Sequence, residues 1–244
     1  IGSQYSDDTA QNSGTAHIFT RSGSSWSYRT QLEASDAAAN DKFGSSIAID
    51  GSTLLVSAYT EGGSGTSRGA VYVFTGSGSS WSQQAKLTAS DAQDHDYFGY
   101  GLDLDGDTAV IGAFGEDPLL SNTGSAYVFN RSGSSWSQQQ KLTASDTGSN
   151  FDIGISVAIE GSLIALGARG ADSDTGAVYI FKLDGSTWTE EQKLISDEGA
   201  ENDELGERIS FSSNYVIAST KDESAFIFKY TKPTYIVTPS STNV

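Results

Sequence analysis

The chain repeats itself. Trp26, Trp81, Trp136 and Trp188 stand 55, 55 and 52 residues apart, each in a G-S-S-W-S or G-S-T-W-T segment. The copy reaches well beyond the tryptophans. LEASDAAANDKFG opens at Leu32, LTASDAQDHDYFG at Leu87, LTASDTGSNFDIG at Leu142 and a worn LISDEGAENDELG at Leu194. A unit recurring at this period is one supersecondary element whose apolar faces only its neighbours can cover, so the copies must stack along a line or around an axis.

Each unit divides into four short runs of period-two character bounded by Gly, Ser, Asp and Asn, which predicts strands. In the second full copy these are 99–104, 108–113, 125–130 and 136–143, with Asp105-Gly106 as a tight turn that needs positive φ. No segment has helical period. Composition agrees: 27 Gly, 3 Pro, 11 Tyr and 11 Phe fit many short strands joined by turns. The expected fold is all-β, a β-propeller of four-stranded antiparallel blades. The propeller spans 1–230, with blades near 1–31, 32–86, 87–141, 142–193 and 194–240. The third strand occurs five times and the first only four, so about five blades are expected, the opening one without its innermost strand. Either the tail, 231–244, returns a strand near 234–238 to close the ring, or the chain is part of a larger propeller. The Ser/Thr/Pro content of the tail also fits a linker or stalk.

Formal charge is −17, from 31 acidic and 14 basic residues, a field that repels phosphate backbones and anionic lipid. Nucleic-acid binding and membrane insertion are therefore not expected. There is no Cys, so disulfide and thiolate chemistry are absent, and no Met, so Ile1 reads as an internal start in a larger, processed product.

Phe43-Gly44 and Phe98-Gly99, with Gly112-Ala113-Phe114-Gly115 downstream, resemble the FG-GAP repeat; Ile153-Gly154 and Leu205-Gly206 are its degraded copies. The resemblance implies an integrin-α-like propeller of secreted and cell-surface proteins, used for adhesion or ligand binding. Integrin-type copies carry a calcium loop of the form D-x-D-x-D-G-x-x-D between the first two strands. Here that connection is only Leu104-Asp105-Gly106-Asp107, so the chain is similar to a shortened bacterial variant and those calcium residues do not carry over.

A different acidic cluster precedes each FG position: Asp36 and Asp41; Asp91, Asp94 and Asp96; Asp146 and Asp152; Asp197 and Asp203. Carboxylates converging from a bent loop suit Ca²⁺, with Asp91, Asp94 and Asp96 the best candidates, whereas the same residues as Asx turns serve only their own loop. Recognition is expected on the face that gathers these loops and the variable second-to-third connections, 59–68, 114–123, 169–175 and 220–223. Its candidates are Glu116, Asp117, Leu119 and Leu120 on the longest loop, and Arg68. The tryptophans suit packing between blades or stacking on sugar. Asn130-Arg131-Ser132 is an N-glycosylation sequon near a turn.

Catalysis has little material. His17 and His95 lie outside any metal-binding pattern, and Gly65-Thr66-Ser67-Arg68-Gly69 fits G-x-S-x-G only in a loop. The turn KLDGSTW at 182–188 is similar to the Asp-box of sialidase-like propellers, but its sister copies lack the Asp. The expectation is an extracellular, non-catalytic module that binds protein or glycan. The alternatives are a self-associating subunit of an extracellular assembly and, third, a glycosidase-like enzyme.

Overall fold

The structure is a computed structural model that describes residues 1–62, 66–116, 122–197, 199–212, 215–221 and 224–230. Five antiparallel sheets follow one another along the chain. The first is β1 (Gly2–Ser3), β2 (Thr15–Ser22) and β3 (Ser25–Leu32); the second is β4 (Ile47–Asp50), β5 (Thr53–Ala58), β6 (Ala70–Ser77) and β7 (Ser80–Leu87). The third is β8 (Leu102–Asp105), β9 (Thr108–Ala113), β10 (Ser125–Ser132) and β11 (Ser135–Leu142). The fourth is β12 (Val157–Glu160), β13 (Leu163–Ala168), β14 (Ala177–Asp184) and β15 (Thr187–Leu194), and the fifth is β16 (Arg208–Ser212), β17 (Tyr215–Ser219) and β18 (Ala225–Lys229). Each sheet meanders in chain order, and the inner strands β4, β8, β12 and β16 lie side by side in succession. This is the blade arrangement expected from the repeat.

The middle strands are covered on both faces: every residue of β5 and β13 is buried, as are the first five of β6, β10 and β14. Sheets stacked between two neighbours lose the polar-out alternation that a one-sided sheet keeps. The outer strands β7, β11 and β15 keep mixed exposure. All four complete third-to-fourth strand pairs carry the same register shift, at Ile18/Phe19, Val73/Phe74, Val128/Phe129 and Ile180/Phe181, a bulge that increases the local twist.

The FG motif is the seam between blades. The amide at the Phe position donates to a carbonyl of the preceding blade in every copy: Phe43 to Ser13, Phe98 to Arg68, Ile153 to Thr123 and Leu205 to Thr175, at 2.8–3.1 Å. Phe98 is buried edge-on to Tyr127 and Phe129, and Phe43 sits likewise against Tyr72 and Phe74. Gly99 has φ +98°, and its amide bonds Gly112 in its own blade, which delays the first strand to Leu102 instead of 99. Opposite this seam, Asp50 and Asp105 accept the amides of Gly106 and Gly161, the turn glycines of the next blades, at 2.8 and 2.6 Å. The short Asp-Gly turn thus stitches blades together.

In the first sheet Gly2 pairs with Ala16 as Gly112 pairs with Ala126, so β1 is the end of a second strand. The first sheet therefore lacks a first strand, as expected, and shows only this stub of a second. The inner edge of β2 beyond His17 has no partner strand among the described residues. Beside it lies an apolar groove of about 500 Å³, lined by Ile1, Ile18, Phe19, Trp26, Ile47 and Ile49. Any closing strand from 231–244 falls outside the described residues.

Candidate functional site

A network recurs at the outer part of blades two, three and four. Tyr127 Oη donates to Asp91 Oδ1 at 2.8 Å, and Lys141 Nζ bridges Asp91 Oδ2 and Glu116 Oε1, each at 2.7 Å. Tyr72, Asp36, Lys86 and Glu61 repeat it, as do Tyr179, Asp146, Lys193 and Asp172. Burial raises the Asp91 carboxyl, but the Lys141 and Tyr127 contacts outweigh it and hold Asp91 below the usual carboxylate range; Asp36 and Asp146 behave alike. In blade four the acid comes from a turn over Ala171–Asp174, with Asp172, Ser173 and Asp174 all at left-handed φ. The strain of that turn goes with a shorter acid reaching the same lysine.

These partners assign the carboxylates proposed for calcium. Asp91 is engaged by Tyr127 and Lys141. Asp94 pairs with Arg68 Nε at 2.8 Å, and Asp96 accepts the Gln93 amide at 2.6 Å as a loop cap. The structure does not bring the three together, and among the described residues no three His, Asp or Glu side chains group as a metal site. Asp41 and Asp203 cap their loops through Ala38 and Ala200, but Asp152 does not belong with them: Phe151 takes that place, and Asp152 pairs with Arg169.

The recognition candidates disperse. Glu116, expected on an exposed loop, is 1% exposed, because its carboxylate is taken up by Lys141 and the Ser125 hydroxyl. Asp117, Leu119 and Leu120 lie outside the described residues. Arg68 is exposed and paired with Asp94. Asn130 lies inside β10, which runs on to Ser132, and its amide donates to Gln139 at 2.9 Å, so the sequon asparagine is a strand residue. Trp136 and Trp188 donate to Gln84 and Gln139 of the preceding blades, whereas Trp26, with no described blade before it, is 66% exposed.

The sites that sequence reasoning missed are those where blades differ at equal register. The residue before FG is Lys42, Tyr97, Asp152 and Glu204 in turn, all at left-handed φ. The residue after FG is Ser45, Tyr100, Ile155 and Glu207, and the next is Ser46, Gly101, Ser156 and Arg208. The residue closing the second strand's far end is Tyr59, Phe114, Arg169 and Lys221. Stacking brings these positions onto one face. Blades two and three make it aromatic: Tyr97 stacks on Phe114 at 5.0 Å, and Tyr100 meets Phe114 at 4.7 Å and Tyr59 at 5.3 Å, both edge-on. Lys42 Nζ donates to the Tyr59 hydroxyl at 3.0 Å, which raises the lysine above its usual range.

Blades four and five make the other half charged. Arg169 bonds Asp152 at 2.8 Å and Glu207 at 3.2 Å and lies 6.0 Å from the Phe114 ring, joining the halves. Burial pushes Asp152 up against the pull of Arg169. Lys221 pairs with Glu204 at 2.5 Å. These groups, with Ser219 and Thr220, line an open cleft of about 800 Å³. The arrangement offers aromatic faces, hydroxyls and both signs of charge, suited to polar recognition.

An FG-GAP repeat model matches residues 26–74, 81–129 and 136–181. Each match opens at a Trp turn and ends in the third strand of the next blade, so the sequence repeat straddles the seam. The crystal structure of the computationally designed Ika4 protein is similar at 12% identity and a TM-score of 0.49, over 76% of this chain and 89% of that one. No curated protein matches the chain. With more than half of its residues in three matched repeats, the chain belongs to the FG-GAP repeat family.

Proposed function

We propose that this propeller is a non-catalytic binding module of adhesion type, secreted or held at a cell surface, recognising a protein or glycan through the face of Tyr97, Phe114 and Arg169. The observation that carries this reading is the contrast within the repeat. Residues of the seam recur from blade to blade and the Tyr–Asp–Lys network recurs in blades two to four, while four register positions on one face vary between blades, aromatic in some and charged in others. A scaffold held constant beneath a varied surface is how rigid folds carry recognition. The test is a glycan-array and matrix-protein screen, with millimolar Ca²⁺ and with chelator. Binding lost in a Tyr97→Ser, Phe114→Ala double variant supports the reading; binding that survives it moves the site elsewhere. Turnover of chromogenic glycosides would sink the non-catalytic assignment.

A second reading, self-association within an extracellular assembly, is favoured by the apolar groove beside the unpaired edge of β2. Exposed strand edges with apolar flanks accept further strands. The mass of the native particle decides it: a discrete monomer over a wide concentration range removes the reading.

A further inference from the structure

We propose that Arg208 heads an anion subsite at the mouth of the propeller axis, one that takes the carboxylate of an acidic sugar such as a uronic acid. The inference rests on the reading of this face as a binding surface and names one chemistry within it. In the register of the inner strands, position 208 falls where the other blades carry Ser46, Gly101 and Ser156, small residues where strands converge. Blade five alone puts a guanidinium there. Arg208 makes no ion pair or side-chain hydrogen bond among the described residues; of the carboxylates on the cleft it lines, Asp152 and Glu207 are held by Arg169 and Glu204 by Lys221, and Asp174 has no ion pair among the described residues.

Arg208 lines both the charged cleft and a cavity of about 180 Å³ shared with Gln4, Ser45, Ser46, Tyr59 and Tyr100. That cavity contains no carboxylate, in a chain whose formal charge is −17. Its polar groups are hydroxyls, one amide and the guanidinium. Tyr59 accepts from Lys42, which leaves its own O–H free to donate and places a second cation behind it. Donors without an opposing carboxylate disfavour a metal cation and favour an anion, and a guanidinium fork matches a carboxylate with two parallel bonds. The hydroxyls and the Tyr59 and Tyr100 rings suit the hydroxyls and apolar face of a sugar. The overall negative field gives no general attraction for anions, so affinity has to come from these local donors.

The test is titration of the wild-type protein and of Arg208→Ser, which restores the residue of blades two and four, with sodium glucuronate and with glucose at fixed ionic strength, read by ¹H–¹⁵N NMR. Expected are saturable shifts at the Arg208 Nε–H and the Tyr100 amide with glucuronate, at least tenfold weaker response to glucose, and at least tenfold weaker glucuronate binding in Arg208→Ser. Equal response to both sugars, an unchanged Arg208→Ser, or no glucuronate response overturns the subsite. A screened ligand that depends on Tyr97 and Phe114 but ignores Arg208→Ser also overturns it and leaves the wider reading standing. Glucuronate bound at Arg208, with every screened ligand indifferent to the aromatic half, does the reverse.

Discussion

Asp91 and Asp96 lie in one acidic loop and titrate in opposite directions. Lys141 and Tyr127 hold Asp91 low, whereas burial, with Glu116 and Asp91 nearby, pushes Asp96 up to about 6. Stability from Asp91, Asp36 and Asp146 is present above the unfolded value of 3.8 and is lost as pH falls through their lower folded values. Asp96 has the other sign: its folded form holds the proton more tightly, so stability declines as pH rises from 3.8 to about 6. Asp96→Asn keeps an acceptor for the Gln93 amide and removes the buried charge. It is expected to be more stable than wild type at neutral pH by about 2 kcal/mol and to lose that advantage near pH 4. Urea midpoints against pH check this; parallel curves would contradict it. Tyr127→Phe removes the hydroxyl donor to Asp91 and should cost about 1.5 kcal/mol at neutral pH, a value that urea unfolding reads directly. Blade five carries Phe226 at this place, so the ring itself is tolerated in the register. The Tyr, Asp and Lys of the network recur in the sequence, but strand periodicity gives only the side a residue faces. Which carboxylate meets which lysine depends on how the loop bends.

At the scale of the element, the blade seam depends on backbones that approach too closely for a side chain. A Cβ on Gly112 would lie 1.9 Å from the Gly154 carbonyl oxygen of the next blade. Gly112→Ala should therefore destabilise by about 3 kcal/mol, by forcing blades three and four apart. Gly106, at φ +57° in the Asp-Gly turn, has nothing within 4 Å of its missing Cβ. Gly106→Ala should cost only the left-handed backbone penalty, about 1 kcal/mol. Chemical denaturation of the two variants side by side tests the distinction, and equal losses would mean that the seam is softer than its geometry. The strands and the Asp-Gly turn were legible because alternation and turn chemistry are local. The full burial of β5 and β13 was not, because it comes from a neighbouring sheet on each side.

For the molecule as a whole, 31 acidic residues against 14 basic ones make self-repulsion a standing term in the folded state. Raising sodium chloride from about 0.05 to about 0.5 M shortens the screening length several-fold and should raise the urea midpoint. A falling midpoint would show that the ion pairs of the network outweigh the repulsion. The sequence by itself determined the repeat, the four-strand blade, the charge and the unequal strand count, since each is a matter of spacing or composition within one unit. Tertiary structure alone decided which residues make up the proposed binding face. Lys42, Tyr97, Arg169 and Arg208 come from four different units, and only stacking of the blades carries them to one face. It also decided the fate of the acidic loops, because a carboxylate's role is set by the nearest cation, and Lys141, fifty residues beyond Asp91, reaches it only when the strands of that blade are folded side by side.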